Sequence, residues 1–330
     1  MGINSICVLV LIKFNEGLSN IESKTSCRCS GSFHDKLYTY LFSGVFFMKV
    51  WLIAVVLSVI ATGVGAGESS LRLSNGEYDI PAIVNVPESV QAVPAVVLLH
   101  GTASHKNEVG NLYARLAAAL AKVGVASIRI DFAGTGDSPV SYRYYTLNSA
   151  VRDAGVALSY LQSQPQVDGQ KLGIVGFSQG GLIAQLLIAE SPVFTSFVAW
   201  SSVASDGVSA FRPLFDNLYQ QATKQGYVTQ EYSWRSSLDI SLEWFEQVKA
   251  NKSLTNMADY SGALLAIAGS ADKVVPAENA LQLINATQAY PAQAIVIKDA
   301  SHIFNVLNEQ AGQDEQLLQL TTQWFAQTLK

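Results

Sequence analysis

Past residue 29 the chain has no cysteine; Cys7, Cys27 and Cys29 are all it holds. No disulfide can therefore staple the bulk of the chain, and no thiol there can serve as nucleophile or metal ligand. Histidine is almost as scarce, at four in 330 residues. Charged residues make up only 14%, and the net charge of -5 excludes the basic face of a typical nucleic-acid binder. There is no G-X-Y period, no low-complexity tract and no internal repeat. What is present is apolar: 49% of residues are hydrophobic, enough to bury a large core and to exclude a disordered chain.

The first 66 residues read as an address rather than a fold. Met48 and Lys49 precede an apolar run over 50–60, and a small-residue stretch ends Val64-Gly65-Ala66. This is the layout of a secretory signal peptide, and the run is shorter than the ~20 residues a membrane span needs. The expectation is a signal peptide over 48–66, cleaved near Ala66, with export to the periplasm or the medium and no stable membrane anchor afterwards. Residues 1–47 then read as an extension ahead of the true start. The alternative is a genuine extension in which 41–47 and 50–66 form an uncleaved anchor. Residues 67–330 hold 16 Lys+Arg against 23 Asp+Glu, an acidic domain.

Along that domain, short apolar runs without period-2 polarity alternate with helical patterns. Strands are expected over 95–100, 125–132, 171–177, 194–200, 262–268 and 294–298. Helices are expected over 109–123, 147–161, 180–190, 277–287 and 309–329. Strands buried on both faces and alternating with helices predict an α/β doubly wound fold with a mostly parallel sheet. Residues 201–261 interrupt the alternation and read as a cap, with helical patterns around 211–223 and 238–249. Its aromatics are expected chiefly to form the cap's own core, and Trp200 is the better pocket candidate.

Gly176-Phe177-Ser178-Gln179-Gly180 is a G-x-S-x-G between an expected strand and an expected helix. That context pushes a serine out above the sheet edge as a nucleophile. A hydroxyl needs a base, and His302 is the sole histidine after Ser178. Asp272, in the loop after the 262–268 strand, is the expected acid that orients the imidazole; Asp206 is its competitor. The oxyanion donors are expected to be the backbone N–H groups of Gln179 and Thr102, with Ala103 as the alternative to Thr102. His100 precedes the serine and is expected to shape its loop rather than act as base.

Together His100-Gly101, the Asp131-Phe-Ala-Gly-Thr-Gly-Asp-Ser138 loop, Gly176–Gly181, Asp272 and His302 resemble the α/β-hydrolase superfamily over nearly all of 77–330. Within it the chain is similar to feruloyl (cinnamoyl) esterases and to serine aminopeptidases. The resemblance implies hydrolysis of a small-molecule carboxylic ester through an acyl-enzyme, with no cofactor or metal. Two positions depart from those esterases: Phe177 stands where His is frequent, and Thr102 where an aromatic is frequent. A peptidase of the same fold is the second reading; it needs a cap carboxylate for a substrate amine, with Glu231, Asp239, Glu243 and Glu246 available. A non-catalytic binding protein on this fold is the third, and such proteins usually lose a triad member.

Overall fold

The computed structural model describes residues 9–12 and 67–330. The expected signal peptide and the rest of the 1–47 extension lie outside the described residues. Strand β1 (Leu9–Ile12) runs antiparallel along β11 (Ala292–Ile297). From Gly67 onward the chain forms β2 (Gly67–Ser74), β3 (Asp79–Val86), β4 (Val93–Leu99), α1 (Leu112–Lys122), β5 (Ala126–Ile130) and α2 (Leu147–Ser163). It continues through β6 (Val167–Phe177), α3 (Gln179–Glu190) and β7 (Phe194–Trp200) into the cap. After the cap come β10 (Ala263–Gly269), α6 (Glu278–Asn285), β11 and α7 (Gln313–Thr328).

The sheet order is β1-β11-β10-β7-β6-β4-β5-β3-β2. The six strands from β11 to β5 are mutually parallel; at the flanks β1 pairs antiparallel with β11, β3 with β5, and β2 with β3. Burial explains why the central strands show no alternation: Ala95 to Leu99 are all fully buried. Val97 and Leu99 pack with α2 and α3, while Val96 and Leu98 pack with α1 and α7. Both faces of the sheet are thus covered, and the carboxyl ends of β4, β5, β6, β10 and β11 share one edge.

The hairpin of β2 and β3 was not expected from the run pattern. It pairs antiparallel over eight residues, and β2 alternates exposed with half-buried positions, because only one side of this flank is covered. The cap also differs in one element. Residues 238–249 do not form one helix; β9 (Leu238–Ser241) pairs with β8 (Tyr227–Gln230), and α5 spans Leu242–Ala250. Leu238 and Ile240 are buried in a period-2 pattern. Ser241 then starts the helix by accepting the Trp244 N–H. The first cap helix, α4 (Arg212–Gln225), falls where expected.

One buried group ties the flank to the helical layer. Asp153 of α2 is fully buried and accepts hydrogen bonds from Asn75 Nδ2 at 2.7 Å and the Tyr78 hydroxyl at 2.9 Å. Burial raises its pKa to about 6, against the lowering effect of those hydrogen bonds and of Arg152. A folded-state pKa above the unfolded one means that the folded protein holds the extra proton. Its stabilising effect is complete below about pH 4 and is lost as pH rises through about 6. Asp153→Asn copies the protonated carboxyl. Its melting temperature relative to wild type is expected to rise between pH 4 and pH 7; a difference that stays constant across that range would contradict this account.

Candidate active site

Strand β6 ends in a sharp turn. Ser178 has φ 54° and ψ −120°, a conformation L residues avoid, and it is held there by its N–H to the Trp200 carbonyl at 2.9 Å. The turn is so tight that its flanks admit no side chain. A Cβ on Gly176 would lie 2.5 Å from the Gly180 carbonyl oxygen, and one on Gly180 would lie 2.2 Å from the Leu99 carbonyl oxygen.

Ser178 Oγ lies 3.1 Å from His302 Nε2, and His302 Nδ1 lies 2.8 Å from Asp272 Oδ2. Three residues separated by up to 124 positions are therefore hydrogen-bonded in one line, each in a loop past the carboxyl end of its strand. Burial alone would raise the Asp272 carboxyl. The His302 hydrogen bond and charge, with the Val275 and Val274 N–H groups, outweigh it and hold the pKa below the usual carboxylate value. Asp272 is therefore ionised, and the line is polarised so that Nδ1–H donates to it and Nε2 faces the serine. Phe177 is buried against the imidazole, with ring centroids 5.0 Å apart. The departure at 177 thus places a flat apolar ring beside His302.

Asp206 is elsewhere. It accepts the Leu254 and Thr255 N–H groups at 3.0 and 3.2 Å and the Thr255 hydroxyl, at the start of the short helix Thr255–Asp259. Trp200 is corrected as well. It is fully buried, donates from Nε1 to Thr321 Oγ1 at 2.9 Å and packs on Tyr113, so it is core rather than pocket. The cap aromatics follow the expectation: Phe211, Phe215, Tyr219, Trp244 and Phe245 pack on one another.

His100 is buried, which pushes its pKa down against the raising effect of Glu108 and Gly101. Its Nε2 accepts the Phe132 N–H at 3.2 Å, so Nδ1–H donates to the Gly101 carbonyl at 2.8 Å. It joins the loops after β4 and β5, as expected of a shaping residue.

Three sets of contacts to these loops were not anticipated. Glu108 is buried at φ 60° and accepts the Gly101 N–H at 2.8 Å, the Ser104 hydroxyl at 2.5 Å and the Val109 N–H at 2.9 Å. Asp131 pairs with Lys106 Nζ at 2.6 Å and accepts the Lys106 and Asp137 N–H groups. Arg235, between β8 and β9, donates to the Ala103 carbonyl. No sequence periodicity marks Glu108 or Arg235. Asp131 lies in a motif already singled out, and its spacing to Asp137 was the available signal. A cleft of about 480 Å³ opens between this loop and the cap tip, lined by Ala103, His105, Glu108, Trp234 and Arg235 among others.

Comparison with known proteins now places the chain. Residues 111–330 match the prolyl oligopeptidase family. The chain belongs to that family. This member is an α/β hydrolase, and it is similar in fold to Est1E of Butyrivibrio proteoclasticus, solved with ferulic acid bound. That likeness has a TM-score of 0.64 at 15% identity and covers 78% of this chain and 99% of Est1E. The esterase domain of a Rhodothermus marinus protein gives a TM-score of 0.59 at 16% identity, covering 80% and 100%. In sequence the chain is 24% identical over 209 residues to the uncharacterized protein Rv2307c of Mycobacterium tuberculosis. The match spans 63% of this chain and 63% of that relative's length.

The close approach at the elbow carries a direct test. Gly180→Ala sets a methyl against backbone rather than a flexible side chain, and the cost is expected to be at least ~2 kcal/mol. The melting temperature should fall by roughly 4–8 °C. An unchanged midpoint would show that the elbow has slack.

Proposed function

We propose that this hydrolase cleaves carboxylic esters through an acyl-enzyme. The observation that carries the reading is the unbroken Ser178–His302–Asp272 line, at 3.1 and 2.8 Å, at the carboxyl edge of the sheet. Ser178 Oγ attacks the ester carbonyl while its proton passes to His302 Nε2. Asp272 keeps the ring oriented and offsets the charge of the imidazolium. The oxyanion is received by the Thr102 and Gln179 N–H groups. Collapse breaks the bond to the alcohol oxygen, which takes the proton from Nε2. Water then repeats the sequence on the acyl-enzyme, releasing the acid and restoring Ser178.

A peptidase is the second reading, favoured by the family match. Two of its four cap carboxylates are already bound by charged partners, which favours esters. Asp239 pairs with Arg143 at 2.7 Å, and Glu246 pairs with Lys249 at 3.0 Å. Glu243 accepts from Gln247. The mature protein is exported after cleavage near Ala66, a reading supported by the signal-like segment.

Ser178→Ala is expected to abolish turnover of p-nitrophenyl acetate and butyrate while the protein stays folded; full activity would end the proposal. Asp272→Asn should lower kcat by roughly 10³–10⁴-fold, and Asp206→Asn by no more than a few-fold. Cleavage of aminoacyl nitroanilides without cleavage of esters would shift the assignment to a peptidase. N-terminal sequencing of the exported protein should begin at or next to Gly67, and a first residue far from Gly67 would reject cleavage there.

A further inference from the structure

The Thr102 hydroxyl donates to Gln179 Oε1 at 2.6 Å, across 77 residues of chain. These are the two residues whose backbone N–H groups receive the oxyanion in the proposed mechanism, and the inference rests on that reading. We infer that this side-chain clasp sets the spacing between the two oxyanion donors, making the Thr102 hydroxyl and the Gln179 carboxamide positioning groups for the tetrahedral intermediate.

The need for such a clasp follows from the sheet. Strands β4 and β6 are neighbours in register, with Leu99 opposite Gly176. Thr102 stands three residues past Leu99, and Gln179 three past Gly176. Ladder hydrogen bonding stops at that level, so the two donors rise from adjacent strand ends with no backbone pairing between them. An oxyanion requires donors about 2.7–3.1 Å from one point, and an error of about 1 Å is costly.

The neighbouring groups are spent differently. The Gly101 N–H is taken by Glu108, and the Ser104 N–H by the Gly101 carbonyl. Ala103 sits at φ 61°, with its carbonyl held by Arg235. The loop is thus anchored on either side of Thr102, and the clasp fixes the remaining direction, toward the elbow.

Gln179 adds an independent observation. It is 1% exposed, and its Nε2 has no hydrogen-bond partner among the described residues. A buried amide nitrogen left unpaired is unfavourable for folding, and a nonpolar side chain of similar length would avoid it. What the glutamine supplies is an acceptor for Thr102. This also accounts for threonine where related esterases frequently carry an aromatic: the clasp needs a hydroxyl.

The test is a double-mutant cycle on the full chain with p-nitrophenyl butyrate. Thr102→Val keeps the branched shape and removes the hydroxyl; Gln179→Met keeps the length and removes the acceptor. Each is expected to lower kcat by ~10–100-fold with KM within about twofold. The double variant should be little worse than either single one, because both break the same contact. Binding of an alkyl boronic acid should weaken in step with kcat/KM, and Thr102→Ser should restore most of the loss. Stoichiometric labelling of Ser178 by a fluorophosphonate should persist in every variant. Additive effects, a loss confined to KM, or full kcat in Thr102→Val would overturn the clasp while leaving the esterase reading intact. If wild type neither turns over esters nor labels at Ser178, that reading fails and the clasp falls with it. Should Thr102→Val not fold, Gln179→Met and Thr102→Ser still decide the outcome through their kcat and boronate affinities.

Discussion

The approach of the β6–α3 turn to the end of β4 governs most of what surrounds it. Gly180 comes so near the Leu99 carbonyl that no side chain fits between them. This contact holds helix α3 against the sheet and brings Ser178 up at the same level as the loop after β4. The positive φ at Ser178 is the conformational cost of that geometry, and the Trp200 carbonyl offsets part of it. Because β10 and β11 lie in parallel register with β7, their ends deliver Asp272 and His302 to the same edge. The hydrogen-bonded line is a consequence of strand order together with one tight turn.

Around that turn, loops without regular structure are held by buried carboxylates. Glu108 gathers two N–H groups and a hydroxyl; Asp131 gathers two N–H groups and a lysine. A buried charge is tolerated where hydrogen bonds replace its hydration, and here each carboxylate also does the organising work of a short strand. The cap contributes through Arg235 at its tip, whereas its aromatic side chains mostly fill its own core.

The parallel layout was legible because buried strands write their burial as unbroken apolar runs. Ser178, Asp272 and His302 were legible because each follows such a run, and because one histidine alone stands after the serine. The β2–β3 hairpin was not, since strands covered on one side carry a weaker signal. The cap hairpin was obscured by a four-residue alternation joined directly to a helix. Glu108 and Arg235 were hidden for a different reason: their partners are backbone groups of the loop after β4, and a carbonyl or N–H has no letter in a sequence. Trp200 misled because the end of a strand beside the elbow reads as a pocket wall, yet its indole faces the opposite layer and Thr321.

The phenyl ring of Phe177 lies against the His302 imidazole, while Asp272 holds the far nitrogen. A side chain gripped on its face and at one edge has few rotational states left to lose. The orientation of the imidazole is therefore set once, when the chain folds.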